Sequence, residues 1–195
     1  GAVETNTPTG TFGIGHTRWS THGPPTDRNA HPHTDEEGRV AVVHNGIIEN
    51  YTELKADLEE NGVIFSSDTD TEVVPHLISR ALDRGEDPET AFHNTVDSLE
   101  GSYAIAAIID GGETIYAARQ GSPLVVGVGD HGTFLASDVP AFVEHTRDVV
   151  FLDDGHRVIA TSDGYSVLDN ERRPVEVPVE TVSYTAEATG KSGYD

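Results

Sequence analysis

Apolar residues along this 195-residue chain change their spacing twice, and each spacing predicts a different kind of element. Near the start, Phe12 and Ile14 alternate with glycines, which predicts a short strand over residues 11–16. Residues 39–44 contain the unbroken apolar run Val-Ala-Val-Val, which is typical of a buried strand. Asn45-Gly46 follows directly, so we expect a sharp turn where that strand ends.

Between residues 50 and 101 the apolar spacing becomes helical and predicts three helices, over 51–61, from about 70 to 85, and from 88 to 100. Asn50 is expected to cap the first helix, with Glu53 as its reciprocal partner. Asp70 or Thr71 is expected to cap the second helix. Asp87 is expected to cap the third helix, which would then begin at Pro88.

Short β-type runs make up most of the remainder, at 63–66, 103–110, 114–119, 124–128, 133–137, 149–152, 157–161 and 165–168. Turn signals rich in Asp and Gly separate the later runs and are typical of hairpins, at 110–112, 129–132, 153–155 and 163–164. A short helix is expected at 139–144. Strands followed by helices and then many strands favour an α+β layered domain over a parallel doubly wound sheet.

Charge is the most unusual bulk property of the chain, with 34 acidic residues against 12 Lys and Arg and a formal net charge of −22. The acidic residues are spread along the chain, which indicates a carboxylate-coated folded surface rather than an acidic tail. High salt screens such self-repulsion, so we expect adaptation to high salt; an ordinary acidic cytoplasmic protein is the alternative. A nucleic-acid partner is disfavoured, because a phosphate backbone would be repelled.

Several residue types and segments are missing from the chain. It has no cysteine, which excludes disulfides, thiolate metal sites and a cysteine nucleophile within these residues. No apolar run approaches the roughly 20 residues needed to span a bilayer, and no signal-peptide pattern opens the chain. We therefore expect one cytoplasmic domain without a membrane partner. The lack of any Met suggests a piece of a longer chain.

Residues 15–23 are dense in groups that can carry chemistry. The guanidinium of Arg18 can bind a carboxylate in a bidentate way, although it could equally pair with one of the many acidic side chains. Trp19 could shield a small polar ligand from water, or simply lie in the core. Together they suggest a pocket for a small carboxylate-bearing molecule.

Two further positions could complete such a pocket. The side chain of Asn45 and the backbone N–H of Gly46 could form an oxyanion hole, although a plain Asn-Gly turn is the simpler interpretation. Asp70 could receive an ammonium group rather than cap a helix.

Four histidines, at 22, 31, 33 and 44, have no zinc-like spacing, and an extended His31-Pro32-His33 segment would place its two rings on opposite faces, so no metal site is expected.

Six motifs, in this order, resemble the glutaminase domain of the glutamine–fructose-6-phosphate aminotransferases (isomerizing): GHTRWSTHG (15–23), NAHPH (29–33), VVHNGIIEN (42–50), DTDTE (68–72), ARQGSPLVVG (118–127) and ASD (136–138). The resemblance implies a four-layer αββα N-terminal-nucleophile hydrolase fold, with two antiparallel sheets between helices. It implies a glutaminase domain over residues 1–189, incomplete at its N-terminus and lacking its first strand. Residues 190–195 would begin a linker to sugar-isomerase domains of a parent chain, which would form a homodimer.

The same resemblance implies a role for each candidate residue in taking ammonia from glutamine, without a cofactor. Asn45 and Gly46 would form the oxyanion hole. Arg18 would bind the α-carboxylate of glutamine and Asp70 its α-ammonium group. Three further side chains would shape the pocket: Trp19, Thr21 and His22.

The chain departs from this family at the nucleophile, which is a cysteine at the mature N-terminus, activated by its own α-amine. Here Gly1 occupies the first position, so the chain as given is expected to be inactive while its parent is active. Three alternatives stay open. They are the glutaminase domain of an amidophosphoribosyltransferase-type enzyme, a non-catalytic glutamine-binding module, and an acidic β-rich domain without a ligand.

Overall fold

The computed structural model of this protein describes residues 10–17 and 26–183. Within these two ranges, three α-helices follow one another: α1 (Tyr51–Glu60), α2 (Val73–Asp83) and α3 (Pro88–Asp97). Two short 3₁₀ helices lie at Asp27–Asn29 and Val139–Ala141. Among these residues, no helix is both long enough and apolar enough to cross a membrane.

The described strands form two antiparallel sheets, which confirms the predicted α+β class. The first sheet has the order β1-β2-β3-β4-β8-β9 and the second β10-β7-β5-β6. The strands are β1 (His33–Thr34), β2 (Val40–Ile48), β3 (Gly101–Ile109), β4 (Thr114–Gln120), β5 (Val125–Gly129), β6 (Gly132–Ala136), β7 (Asp148–Phe151), β8 (Arg157–Thr161), β9 (Gly164–Leu168) and β10 (Glu180–Thr181). All seven strands predicted after Ser102 are present, with small shifts at their ends.

Three of the four predicted hairpin turns are confirmed. Asp110 and Gly111 have φ values of 56° and 63° between β3 and β4, as the tight turns of right-twisted hairpins require. The signals at 129–132 and 163–164 close β5–β6 and β8–β9. The turn at 153–155 is not a hairpin, because it carries the chain from β7 in one sheet to β8 in the other. The N–H of Gly155 donates to the carbonyl oxygen of Arg119 in β4 at 2.8 Å, so a long-range bond fixes this turn.

The helices cover one face of the six-stranded sheet and form the largest core. Phe92 of α3, Ile78 of α2 and Leu58 of α1 are fully buried there, against Ile48 and Ile105 of the sheet. Each such side chain contributes about 1.5–3 kcal/mol by leaving water. The amphipathic spacing that predicted the helices therefore also sets the side on which they pack.

A second core lies between the two sheets, where Val126 and Leu152 meet Val158 and Val167. On the outer face of the four-stranded sheet, Phe142 packs beside the second 3₁₀ helix. The described elements therefore stack as helices, sheet, sheet and a thin outer layer containing that 3₁₀ helix. The short helix predicted at 139–144 is this 3₁₀ turn.

Two predicted strands, at 11–16 and 63–66, are not strands. Neither segment pairs with a neighbouring strand among the described residues. In the second segment, side-chain carboxylates take the backbone donors: the N–H of Ile64 donates to Glu36 Oε1 at 2.9 Å and that of Ser66 to Glu72 Oε1 at 2.7 Å. A carboxylate that satisfies an N–H group removes the need for a partner strand.

Asp87 caps α3 as predicted, accepting from the N–H of Thr90 at 3.0 Å with Pro88 in the first turn. Asn50 occupies the N-cap position of α1 as predicted, but the side-chain cap bond expected of it is absent. Its Nδ2 donates to the Ser98 carbonyl oxygen at 2.9 Å, and its Oδ1 accepts from the N–H of Glu100 at 3.1 Å. Asn50 therefore joins the start of α1 to the segment that precedes β3.

Candidate active site

Asn45 and Gly46 lie inside β2, so the sharp turn expected there is wrong. The strand continues to Ile48 and pairs with β3 residue by residue to its end. Gly46 has a φ of +120°, and a β-carbon there would lie 2.0 Å from the carbonyl oxygen of Ser102 and 2.7 Å from Ser122 Oγ. Only glycine fits this position, where the strand departs from ordinary extended backbone.

A cavity of about 450 Å³ opens between the two sheets beside Asn45. Its volume is in the range of small-molecule sites. Its walls combine apolar and polar groups, among them Gly15, His16, Asn45, Pro123, Leu124 and Ser137. His16 Nε2 lies 2.7 Å from Asn45 Oδ1, so the first described segment of the chain contacts β2 at this cavity.

Asp70 does not cap a helix, because α2 begins at Val73. Its side chain is buried, with 3% exposure, and its Oδ2 accepts from the N–H of Ile48 at 2.8 Å. Its Oδ1 lies 3.5 Å from Thr71 Oγ1. Among the described residues, no Lys, Arg or His forms an ion pair with Asp70. The carboxylate is therefore attached to β2 three residues beyond Asn45, which is about 10 Å along a strand.

Glu72 fixes the loop that carries Asp70. Its carboxylate is 1% exposed and accepts from the N–H and hydroxyl groups of both Ser66 and Ser67. Burial alone would raise the pKa of Glu72, but His76, whose Nε2 lies 3.7 Å from Oε1, and the two serines outweigh it and hold that pKa far below its usual range. A carboxylate that stays ionised in this way binds the loop to the start of α2.

Histidines cluster beside the cavity, although their spacing along the chain gives no sign of it. The His31 ring stacks on His16 with centroids 4.3 Å apart and contacts His33 edge-on at 4.9 Å. The prediction that His31 and His33 project to opposite faces is wrong, because His31 lies at a bend rather than in an extended strand. The ring of His31 is also nearly parallel to that of His44, with centroids 6.4 Å apart and an angle of 16° between their planes. Among the described residues, no three His, Asp or Glu side chains are grouped so that they could hold a metal ion.

The remaining predicted site residues, Arg18, Trp19, Thr21 and His22, lie outside the described residues. The roles implied for them stay predictions. Of the predicted site, Asn45, Gly46 and Asp70 are brought together along β2, the first two within the strand and the third bonded to it.

The fold has close structural counterparts. Glutamine phosphoribosylpyrophosphate amidotransferase from B. subtilis, solved with ADP and GMP, matches 79% of this chain and 34% of its own at 27% identity and a TM-score of 0.66. The fold is that of the N-terminal-nucleophile amidotransferases, as the sequence motifs implied.

A family model described as a glutamine amidotransferase domain matches residues 16–144, more than half of the chain, and this chain belongs to that family. Two curated relatives are named glutamine–fructose-6-phosphate aminotransferase [isomerizing]. The one from Methanothermobacter thermautotrophicus is 53% identical over 187 residues, and the one from Halobacterium salinarum is 53% identical over 186 residues. Each match covers 95% of this chain, which spans 32% and 31% of the two relatives, respectively.

The sequence motifs did not identify how the candidate residues are held. His16 and Asn45 are 29 residues apart, and Thr71 reaches His44 across 27 residues, with Thr71 Oγ1 2.8 Å from His44 Nδ1. The one signal in the sequence was the excess of His, Thr and Asp in segments too polar for a core. The buried position of Glu72 had no signal, because a carboxylate just before the start of a helix is ordinary.

Proposed function

We propose that this chain is the glutamine-hydrolysing unit of a glutamine–fructose-6-phosphate aminotransferase (isomerizing). In such a protein, glutamine and water give glutamate and ammonia, and the ammonia converts fructose-6-phosphate to glucosamine-6-phosphate. The single observation that carries the proposal is the placement of Asn45 at an intersheet cavity, with Gly46 next to it in β2 and Asp70 attached further along the same strand. Membership of the amidotransferase family and the names of the relatives support it.

Asn45 and Gly46 are proposed to stabilise the negative charge that develops on the amide oxygen of glutamine. The side-chain N–H of Asn45 and the backbone N–H of Gly46 would donate to that oxygen. One donor of this kind typically accounts for about 10²–10³ in kcat. Both groups belong to a paired strand, which supports this role, because donors fixed before the reaction need not reorganise during it.

Asp70 is proposed to bind the α-ammonium group. A buried carboxylate is costly unless a cation or several donors compensate it, and the described residues supply no cation. The two ends of extended glutamine lie roughly 6 Å apart, as its bond lengths require. With a hydrogen bond at one end, this span is compatible with the separation of about 10 Å along β2.

Arg18 is proposed to bind the α-carboxylate, and three side chains to enclose the ligand: Trp19, Thr21 and His22. The attacking group would be a cysteine, which this chain does not contain. We further propose a cytoplasmic, homodimeric parent in which sugar-isomerase domains receive the ammonia. The net charge of −22 supports adaptation of that parent to high salt.

Expression of the gene at its full length tests the proposal. The product should release glutamate from glutamine and form glucosamine-6-phosphate when fructose-6-phosphate is supplied. Asn45→Ala should lower kcat about 10²–10³-fold. Asn61→Ala, at an exposed position after α1, is the matched control and should leave kcat unchanged.

The alternatives predict different outcomes. Transfer of ammonia to phosphoribosylpyrophosphate instead of fructose-6-phosphate would assign the protein to the class of the B. subtilis neighbour. Glutamine binding without turnover at full gene length would indicate a non-catalytic module. A protein that neither binds nor hydrolyses glutamine would be an acidic domain without this ligand, and that outcome would refute the proposal.

A further inference from the structure

The side chain of His16 has one hydrogen-bond partner among the described residues, and that partner is Asn45. The distance from His16 Nε2 to Asn45 Oδ1 is 2.7 Å. The other ring nitrogen, Nδ1, is buried and makes no hydrogen bond within the described part of the chain. A carbonyl oxygen can only accept, so the Nε2 atom must carry the proton and donate it.

We propose that His16 is a positioning residue that sets the orientation of the Asn45 carboxamide. An Asn side chain can turn by half a rotation and exchange its oxygen and nitrogen at little steric cost. A donor on Oδ1 removes that freedom and keeps Nδ2, with its two N–H groups, on the side of the carboxamide that is turned away from His16. The inference rests on the proposed function, in which those N–H groups hold the oxygen of the reacting amide.

His31 holds His16 in place. The two rings stack with centroids 4.3 Å apart and an angle of 23° between their planes. His31 is fixed in turn, because its Nδ1 accepts from the backbone N–H of His44 at 3.1 Å. That bond requires Nδ1 to be unprotonated, which places the proton of the neutral ring on Nε2, 3.4 Å from Thr71 Oγ1.

The arrangement connects the two ends of the proposed ligand site. His16 contacts Asn45, which would hold the amide oxygen. His31 contacts Thr71, the neighbour of Asp70, which would hold the ammonium group. A ring stack that is anchored at both ends can keep the side chains of Asn45 and Asp70 at a fixed separation when a ligand enters the cavity.

Two substitutions separate the donor from the ring. His16→Phe keeps an aromatic ring against His31 but has no donor for Asn45. His16→Gln has no ring but offers an amide donor of similar reach. In the protein expressed at full gene length, His16→Phe should lower kcat for glutamate release about 10–100-fold, with KM changed less than about twofold. His16→Gln should recover at least part of that loss. His131→Phe, in the exposed turn between β5 and β6, is the matched control.

A double-mutant cycle with Asn45→Ala decides whether His16 acts through Asn45. In the Asn45→Ala background, His16→Phe should cause no further loss of kcat. The same loss in both backgrounds, or no loss in either, would overturn the inference. A raised KM with unchanged kcat would also overturn it, because His16 would then contact glutamine itself.

A second measurement does not depend on turnover. With ¹⁵N-labelled asparagine, the side-chain amide of Asn45 should give one ordered pair of signals that loses order in His16→Phe and keeps it in His131→Phe. If Asn45→Ala leaves glutaminase activity unchanged while this ordering effect is present, the proposed function fails and the positioning role stands. If the amide stays ordered in His16→Phe, the positioning role fails.

Discussion

Replacing Gly46 by Ala should destabilise the protein far more than the same change at another glycine with a positive φ. The new β-carbon would lie 2.0 Å from the Ser102 carbonyl oxygen, so β3 would have to retreat by about 1 Å to reach a tolerable contact. That movement lengthens ladder hydrogen bonds of about 2.9 Å beyond their useful range. Two lost bonds at about 1 kcal/mol each and a φ strain of about 1–3 kcal/mol give a total of about 3–5 kcal/mol.

Gly62→Ala is the control for the backbone strain alone. Gly62 has a φ of +93°, and nothing lies within 4 Å of the place that a β-carbon would take, so its substitution should cost only about 1–2 kcal/mol. The strain is common to both variants, so they differ by the two lost bonds, about 2 kcal/mol, which corresponds to about 4–8 °C in the melting temperature of a domain this size. Thermal unfolding followed by circular dichroism measures both variants. A Gly46→Ala variant that melts within about 2 °C of Gly62→Ala would refute the steric argument.

Three further outcomes are expected. Burial and the nearby charges of Arg157 and Arg172 lower the pKa of His93 to about 4. In the unfolded chain this side chain takes up a proton near pH 6.5, so the free energy of unfolding should fall by about 2 kcal/mol between pH 7 and pH 5. Urea titrations at the two pH values should show this fall in the unsubstituted protein and no such fall in His93→Phe. The melting temperature should rise from low to multimolar KCl, since salt screens the net charge of −22; a midpoint that stays constant would contradict the proposed salt adaptation. The 195-residue chain, which has no cysteine, should release no ammonia from glutamine above a buffer blank.

Local chemistry made much of the fold predictable. Asp87 and Pro88 defined the start of α3, and paired turn residues defined three hairpins, because in each case the determining contacts lie within a few residues. The division of the strands into two sheets was not predictable in this way. The turn at 153–155 has the composition of a hairpin and acts as a crossover, since its partner, Arg119, is more than 30 residues away.

The candidate site shows the same contrast between local features, which were predictable, and long-range contacts, which were not. Asn45, Gly46 and Asp70 could be selected individually by residue type and motif. Their surroundings could not, because the strand that carries the first two continues past a turn-like dipeptide and pairs with β3. The apolar residues Ile47 and Ile48 after that dipeptide were the sign in the sequence that the strand went on. The bond from His16 to Asn45 depends on how segments remote in sequence meet, which no local pattern encodes.

The position of Gly46 within an uninterrupted ladder also has a consequence for motion. Nine consecutive residues of β2, Asn45 and Gly46 among them, pair with β3, and β3 pairs in turn with β4, so β2 is held on this side along its whole length. Amides in such a strand usually exchange with solvent only when the whole domain opens. We therefore expect deuterium uptake at the backbone amide of Asn45 to be as slow as in the core helices. Heating would then disrupt this part of β2 at the melting transition itself, without earlier local unfolding.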